Sequence, residues 1–155
     1  MEPAPGAVHL RSDLERKALF GVGETTRLGP HAYAEAAGAR VYAILCEKIA
    51  HVLAAGHAGI VDAVFAKPEE RAAIERLASS LRVPFLGLWL EAPPEDLMQR
   101  VGARKGDASD ATPEVVRRQL ALGGGTLSGQ WRRVDASGSA AATLETARKA
   151  VADAS

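Results

Sequence analysis

Aromatic side chains make up only 5% of this 155-residue chain, so its core must be built from alanine and the branched aliphatics. Cysteine occurs once, at Cys46, and no internal disulfide can form. The setting of Cys46, Tyr42-Ala43-Ile44-Leu45-Cys46-Glu47-Lys48-Ile49, is helical, which reads as a small packed residue rather than a reactive thiol. Neither sign of charge is in excess: 19 Lys and Arg balance 19 Asp and Glu, which argues against a dedicated nucleic-acid binder. No stretch approaches the roughly 18 apolar residues of a membrane span. The opening Met1-Glu2-Pro3-Ala4-Pro5-Gly6 lacks the basic and apolar regions of a secretory signal. A cytoplasmic protein without a membrane or nucleic-acid partner is the expectation. Low-complexity segments and internal repeats are absent as well.

What is present is an ordinary globular balance, 47% hydrophobic and 25% charged, over a length that suits one domain, residues 1–155. Residues 7–11 predict a strand. Ser12 is placed to cap a helix through Phe20, which Gly21 ends. After a loop to Pro30, a long helix is expected from about His31 to Ala55, with Val41, Leu45, Ile49 and Val52 or Leu53 as its buried stripe and Gly56 as its stop. Residues 58–65 read as a strand. Pro68 begins a helix with Glu69 and Glu70 in its first turn, and Ile74, Leu77, Ala78 and Leu81 give its core face. The nearly continuous apolar run from Phe85 to Leu90 reads as a strand covered on both faces. Helices follow from Pro93 and from Thr112-Pro113-Glu114 to about Leu122. Gly123-Gly124-Gly125 is a loop, residues 130–136 a last strand and residues 143–152 a last helix. Alternating strands and helices predict an α/β fold, a mostly parallel sheet with helices on both faces.

Ligands in such folds bind at the carboxyl ends of the strands, which selects Arg11, Asp13, Asp62 and the turn after Leu90. Asp13 follows a strand and starts a helix. A carboxylate there can accept the proton of a substrate hydroxyl attacking phosphorus, or it can satisfy backbone donors at the helix start. Arg11 and Arg16 can hold an anionic substrate group; otherwise Arg16 and Lys17 form a solvated face. Asp62, at the end of an apolar strand, is the candidate contact for Mg²⁺, through water, or for a substrate; the plainer role is a structural cap. Arg100 and Arg104 lie four residues apart on one helix face, followed by Asp107, Asp110 and Gln119. Two guanidinium forks so placed suit a polyphosphate under a mobile lid; alternatively they pair with Glu95 or Asp96 on an exposed face. None of the four histidines shows metal-ligand spacing, so all are expected to be structural or surface residues.

These residues also carry a resemblance. Its motifs are Leu10-Arg11-Ser12-Asp13-x-x-Arg16-Lys17-x-Leu19-Phe20-Gly21, Tyr33, Val41-Tyr42, Val61-Asp62-Ala63-Val64-Phe65 with Arg71, and Arg100-Val101-x-x-Arg104 with Asp107-x-Ser109-Asp110-Ala111 and Gln119. Together, from about Pro5 to Val151, they resemble the P-loop kinase-like ATP-binding domain of the AAA family, which often follows an aminoglycoside-phosphotransferase-like domain in bifunctional bacterial proteins. More distantly the chain is similar to gluconate kinases, zeta toxins and polynucleotide kinases. The resemblance implies ATP and Mg²⁺ as cofactors and a small-molecule hydroxyl as phosphate acceptor, with a phosphotransferase-like domain upstream as a possible partner. Asp13 would be the base or the ligand of the substrate hydroxyl, Arg16 a substrate-anion ligand, Asp62 the residue by Mg²⁺ and the γ-phosphate, and Arg100 and Arg104 lid arginines. Ser137-Gly138-Ser139 would lie near the adenine.

One departure is large. A Walker A loop is Gly-x-x-x-x-Gly-Lys-Ser/Thr, and none of Lys17, Lys48, Lys67, Lys105 or Lys149 stands between a glycine and Ser or Thr. In the family the first strand, P-loop and first helix precede the stretch matching Ala7 to Gly21, and would take roughly 25 to 30 residues. The expectation is a domain lacking those parts, with its central strand missing, so that the flanking strands either pair directly or leave a seam. Three readings follow. The first is an ATP-dependent small-molecule phosphotransferase incomplete at its amino end and inactive alone. The second is a non-catalytic anion- or nucleotide-binding module completed by another chain or domain. The third, a nucleic-acid 5′-end kinase, is disfavoured by the neutral charge and few aromatics.

Overall fold

The computed structural model of the chain describes residues 6–103, 108–122 and 125–154. The chain divides into two compact units, Met1–Val83 with Lys105–Asp110, and Pro84–Arg104 with Ala111–Ser155.

In the first unit, β1 (Val8–Arg11) runs directly into α1 (Ser12–Leu19). Arg11 rather than Ser12 stands at the cap position, without a side-chain capping bond. The helix stops where Gly21 takes φ +66°, a conformation glycine adopts at no steric cost. A single 3₁₀ turn, Pro30–Tyr33, then precedes α2 (Glu35–Ala54). The long helix therefore begins four residues later than expected, because Ala34 is extended at ψ 153° and separates turn from helix. Of the predicted stripe, Val41, Leu45 and Ile49 are buried, while Val52 and Leu53 are half-buried.

Next, β2 (Gly59–Asp62) pairs in parallel with β1, with Val8 opposite Gly59 and Arg11 opposite Asp62. Gly59 passes close under Ile49 and Val52 of α2, so one face of this pair is covered by that helix. The other face carries Ile60, 53% exposed.

The strand ends at Asp62 instead of Phe65. Phe65 sits at φ 49°, left-handed and costly for a residue with a side chain. Its N–H donates to the Tyr42 hydroxyl (2.9 Å), and its carbonyl accepts from the buried Arg71 guanidinium (2.6 Å). Two side chains from neighbouring helices thus hold the turn beyond Asp62. Arg71 belongs to α3 (Pro68–Ser80), which starts on Pro68 with the Glu70 carboxylate accepting from the Lys67 N–H. Ile74 and Ala78 of α3 are buried as expected, but Leu81 is exposed.

In the second unit, β3 (Gly87–Glu91) pairs in parallel with β4 (Trp131–Asp135). Leu90 is 58% exposed, so β3 departs from a strand covered on both faces. The helices are α4 (Pro94–Ala103), α5 (Pro113–Leu122) and α6 (Ala140–Ala152). The Thr112 hydroxyl accepts from the Val115 N–H (3.3 Å), which bears out the predicted start of α5. The last helix begins three residues before its expected start because Ser139 caps it, accepting from the Ala142 N–H (3.2 Å).

The fold is α/β, with parallel strands flanked by helices. Among the described residues the strands form two pairs, β1–β2 in the first unit and β3–β4 in the second.

Within the second unit the ring of Trp131 lies directly over Gly87 and edge-on to Phe85 at 5.8 Å. A Cβ at Gly87 would overlap the indole. Gly87→Ala is therefore expected to lower stability by about 1–3 kcal/mol, the usual range for overpacking, as measured by urea unfolding.

Candidate functional site

The first unit holds Arg11, Asp13, Arg16 and Asp62 of the predicted site. Parallel register sets Arg11 beside Asp62 at the carboxyl ends of both strands, with Arg11 Nε 3.4 Å from Asp62 Oδ2. His9 Nε2 approaches the same oxygen at 3.6 Å. Asp13, two residues beyond the strand, lies within electrostatic reach of Arg11, Arg16 and Asp62. Burial lifts the Asp13 carboxyl above the ordinary aspartate range, opposed by a hydrogen bond with the Ser109 side chain and by Arg11. It lies in the first turn of α1, one residue beyond Ser12. A partly buried carboxylate between two guanidiniums can take a proton and sit near an anion.

Arg16 has a more structural surrounding than an open anion ligand. Its Nη1 donates to the Ala32 carbonyl (2.6 Å), and its guanidinium lies over the Tyr33 ring, 4.9 Å from the centroid. Asp62, expected at the end of a buried strand, is instead 55% exposed in its side chain. Among the described residues no three His, Cys, Asp or Glu side chains form a metal-holding group. Asp62 offers a single carboxylate, beside Arg11 at 3.4 Å.

Below this rim is an interaction that spacing did not reveal. Lys17, which sequence leaves on a solvated face, is 2% exposed and donates to both oxygens of Asp110 at 2.8 Å and to the Thr26 carbonyl. Asp110 also accepts from the Leu28 N–H (2.9 Å) and from the Tyr33 hydroxyl (2.7 Å). Burial works against its charge, but Lys17, Leu28 and Tyr33 together hold its carboxyl below the ordinary range. Partial burial and the bond to Asp110 raise the Tyr33 hydroxyl, which stays protonated as the donor. Asp110 is thus held by Lys17, Leu28 and Tyr33 together.

The second unit holds the other predicted group. Arg100, on α4, donates to the carbonyls of Ala136 (2.6 Å), Ser137 (3.1 Å) and Gly138 (2.9 Å). It pairs with neither Glu95 nor Asp96 among these bonds. The turn it grips is held at both ends: the Ser137 N–H donates to Asp135 (2.8 Å), lowering that carboxyl, and Ser139 caps α6. Beside it lies a groove of about 560 Å³ bordered by Leu90, Arg100, Gly138, Ser139 and Leu144. Arg100, Ser137 and Gly138 are thus one assembly. Arg104 and Asp107, the rest of the predicted lid, lie outside the described residues, and α4 is described only to Ala103.

The buried pair makes a clear prediction. Asp110→Asn should cost about 3–5 kcal/mol, because it strands a buried ammonium. Lys17→Met with Asp110→Leu should recover most of that loss. Because the Asp110 carboxyl titrates lower folded than unfolded, its stabilisation is full above the ordinary aspartate value of 3.8. It is lost as pH falls through the folded value. Urea unfolding across that range should show an acid-labile component that Asp110→Asn lacks.

Set against known families, residues 1–122 match the family model described as an AAA domain. No curated protein matches the chain.

Proposed function

The chain belongs to the AAA domain family, and from that membership we propose that it serves ATP-dependent phosphoryl transfer to the hydroxyl of a small molecule. The observation that supports this best is Asp13: a carboxyl lifted by burial, at the end of β1, flanked by Arg11 and Arg16 and close to Asp62. In this reading the acceptor hydroxyl gives its proton to the Asp13 carboxylate while its oxygen bonds to the γ-phosphorus. The bond from phosphorus to the bridging oxygen breaks, and ADP leaves with the electron pair. Arg11 and Arg16 orient the acceptor's anionic group. Mg²⁺, when bound, neutralises phosphate charge, with Asp62 as its water-bridged protein contact.

The sequence contains no Gly-x-x-x-x-Gly-Lys-Ser/Thr, so the proposal includes a phosphate cradle supplied from outside it. A second reading is a binding module completed by another chain or domain: each unit carries a pair of strands, and sheets of two strands are marginal by themselves. The test is transfer of labelled phosphate from ATP to a panel of small hydroxyl acceptors. It uses the chain alone and the chain joined to a strand, Walker A loop and helix. Transfer by the joined form only is expected, and Asp13→Asn should reduce it about 10²–10⁴-fold. Calorimetric ATP binding with no transfer in either form would favour the binding module. Full transfer by Asp13→Asn would remove Asp13 as the base.

A further inference from the structure

We propose that the buried Lys17–Asp110 pair is a positioning device that holds Ser109 against Asp13 and Tyr33 beneath Arg16. The inference rests on the reading of Asp13 as the base. Its geometry has two anchor points. Asp13 and Lys17 are one turn apart on the same face of α1, and Ser109 and Asp110 are consecutive. Ser109 meets Asp13, and Asp110 meets Lys17, so one helix face grips two adjacent residues.

Asp110 cannot swing away without breaking four bonds: two from Lys17 at 2.8 Å, one from Leu28 at 2.9 Å and one from Tyr33 at 2.7 Å. On the other side of Ser109, Ala108 is buried. Ser109 therefore lies between buried Ala108 and the hydrogen-bonded Asp110.

The same carboxylate reaches the second proposed ligand. The Tyr33 hydroxyl bonded to Asp110 fixes the ring over which Arg16 lies, and Arg16 also donates to Ala32 of the same turn. Lys17 and Asp110 need not touch a substrate. They set the orientation of the two groups proposed to do so, and a carboxylate misplaced by about 1 Å is enough to cost roughly 10²-fold in rate.

The experiment is a double-mutant cycle on the full chain. Asp13→Asn, Ser109→Ala and their combination are made in the natural background and again with Lys17→Met and Asp110→Leu, and urea midpoints are compared. Non-additive shifts in the natural background and additive ones in the apolar background are expected. Equal non-additivity in both backgrounds would overturn the proposal, because a pair that only stabilises the fold leaves the Ser109–Asp13 bond intact. Should the apolar background fail to fold, Tyr33→Phe removes one donor from Asp110 while keeping the ion pair. A reduced non-additivity is then expected, and an unchanged one would overturn the proposal. In the joined, transferring form, Ser109→Ala should lower kcat with KM for ATP unchanged; a change confined to KM would count against positioning. Absence of transfer from every form would defeat the base reading alone, since the cycle reports the Ser109–Asp13 coupling without it.

Discussion

The first unit depends on placing a full positive and a full negative charge almost out of water. Lys17 and Asp110 are 2% and 9% exposed in their side chains. Desolvating such a pair costs several kcal/mol per ion, and mutual attraction offsets that only when the remaining hydrogen-bonding capacity is also used. Here it is. Lys17 has the Thr26 carbonyl besides both carboxylate oxygens, and Asp110 has the Leu28 N–H and the Tyr33 hydroxyl. These partners lie in the stretch after α1, where the only regular element is one 3₁₀ turn. Polar bonds to two buried charges do for this stretch what apolar packing does for α2. The chain leaves the unit after Val83 and returns to it for Asp110, a closure whose entropy grows only slowly with length. A few strong bonds suffice to hold it.

Arginine takes over the turns in the same way. Arg16 donates to Ala32, Arg71 to Phe65 and Ala66, and Arg100 to Ala136, Ser137 and Gly138. Read from sequence, Arg16 and Arg100 are anion ligands. In the structure each donates to backbone carbonyls at an irregular segment, where helix and strand ladders cannot satisfy them. A guanidinium has five N–H donors in a fixed plane, so it can hold several carbonyls and still offer an edge or a face. This matters in a chain with 5% aromatics, where there are few large rings to pack turns against. For Arg100 it also sets a competition: a phosphate drawing it away must replace three bonds to carbonyls.

What the sequence revealed was local. The stripe of Val41, Leu45 and Ile49 lies within one helix, and its 3.6-residue period is a property of that helix alone. Gly21 and Gly56 were readable as stops because φ of +66° and +82° suits glycine. The convergence of Arg11, Asp13 and Asp62 was also readable, since strand ends in a parallel pair face one rim. Bonds between distant residues were not. Lys17 looks like any other helix-surface lysine until Asp110 is set beside it, and no periodicity links residues 93 apart. Phe65 shows the same limit. Val64 and Phe65 extend an apolar run that reads as strand, yet Tyr42 and Arg71 hold Phe65 left-handed and end β2 at Asp62. The turn conformation is fixed by side chains of α2 and α3, which sequence around Phe65 does not contain.

The strand pairs carry the argument one step further. Parallel strands are ordinarily buried on both faces, and their apolar composition reflects it. Both Ile60 of β2 and Leu90 of β3 have that composition, but they are 53% and 58% exposed. In the first unit α2 covers one face of its pair, through the close pass over Gly59, and leaves Ile60 on the other. At about 25 cal/mol per Å² of apolar surface, removing either side chain from water would add roughly 1 kcal/mol or more. Sequences rich in branched aliphatics at such positions are suited to a sheet with further cover. The exposed apolar residues therefore lie on the strands whose ends carry the candidate site, where added cover would stabilise strand and site together.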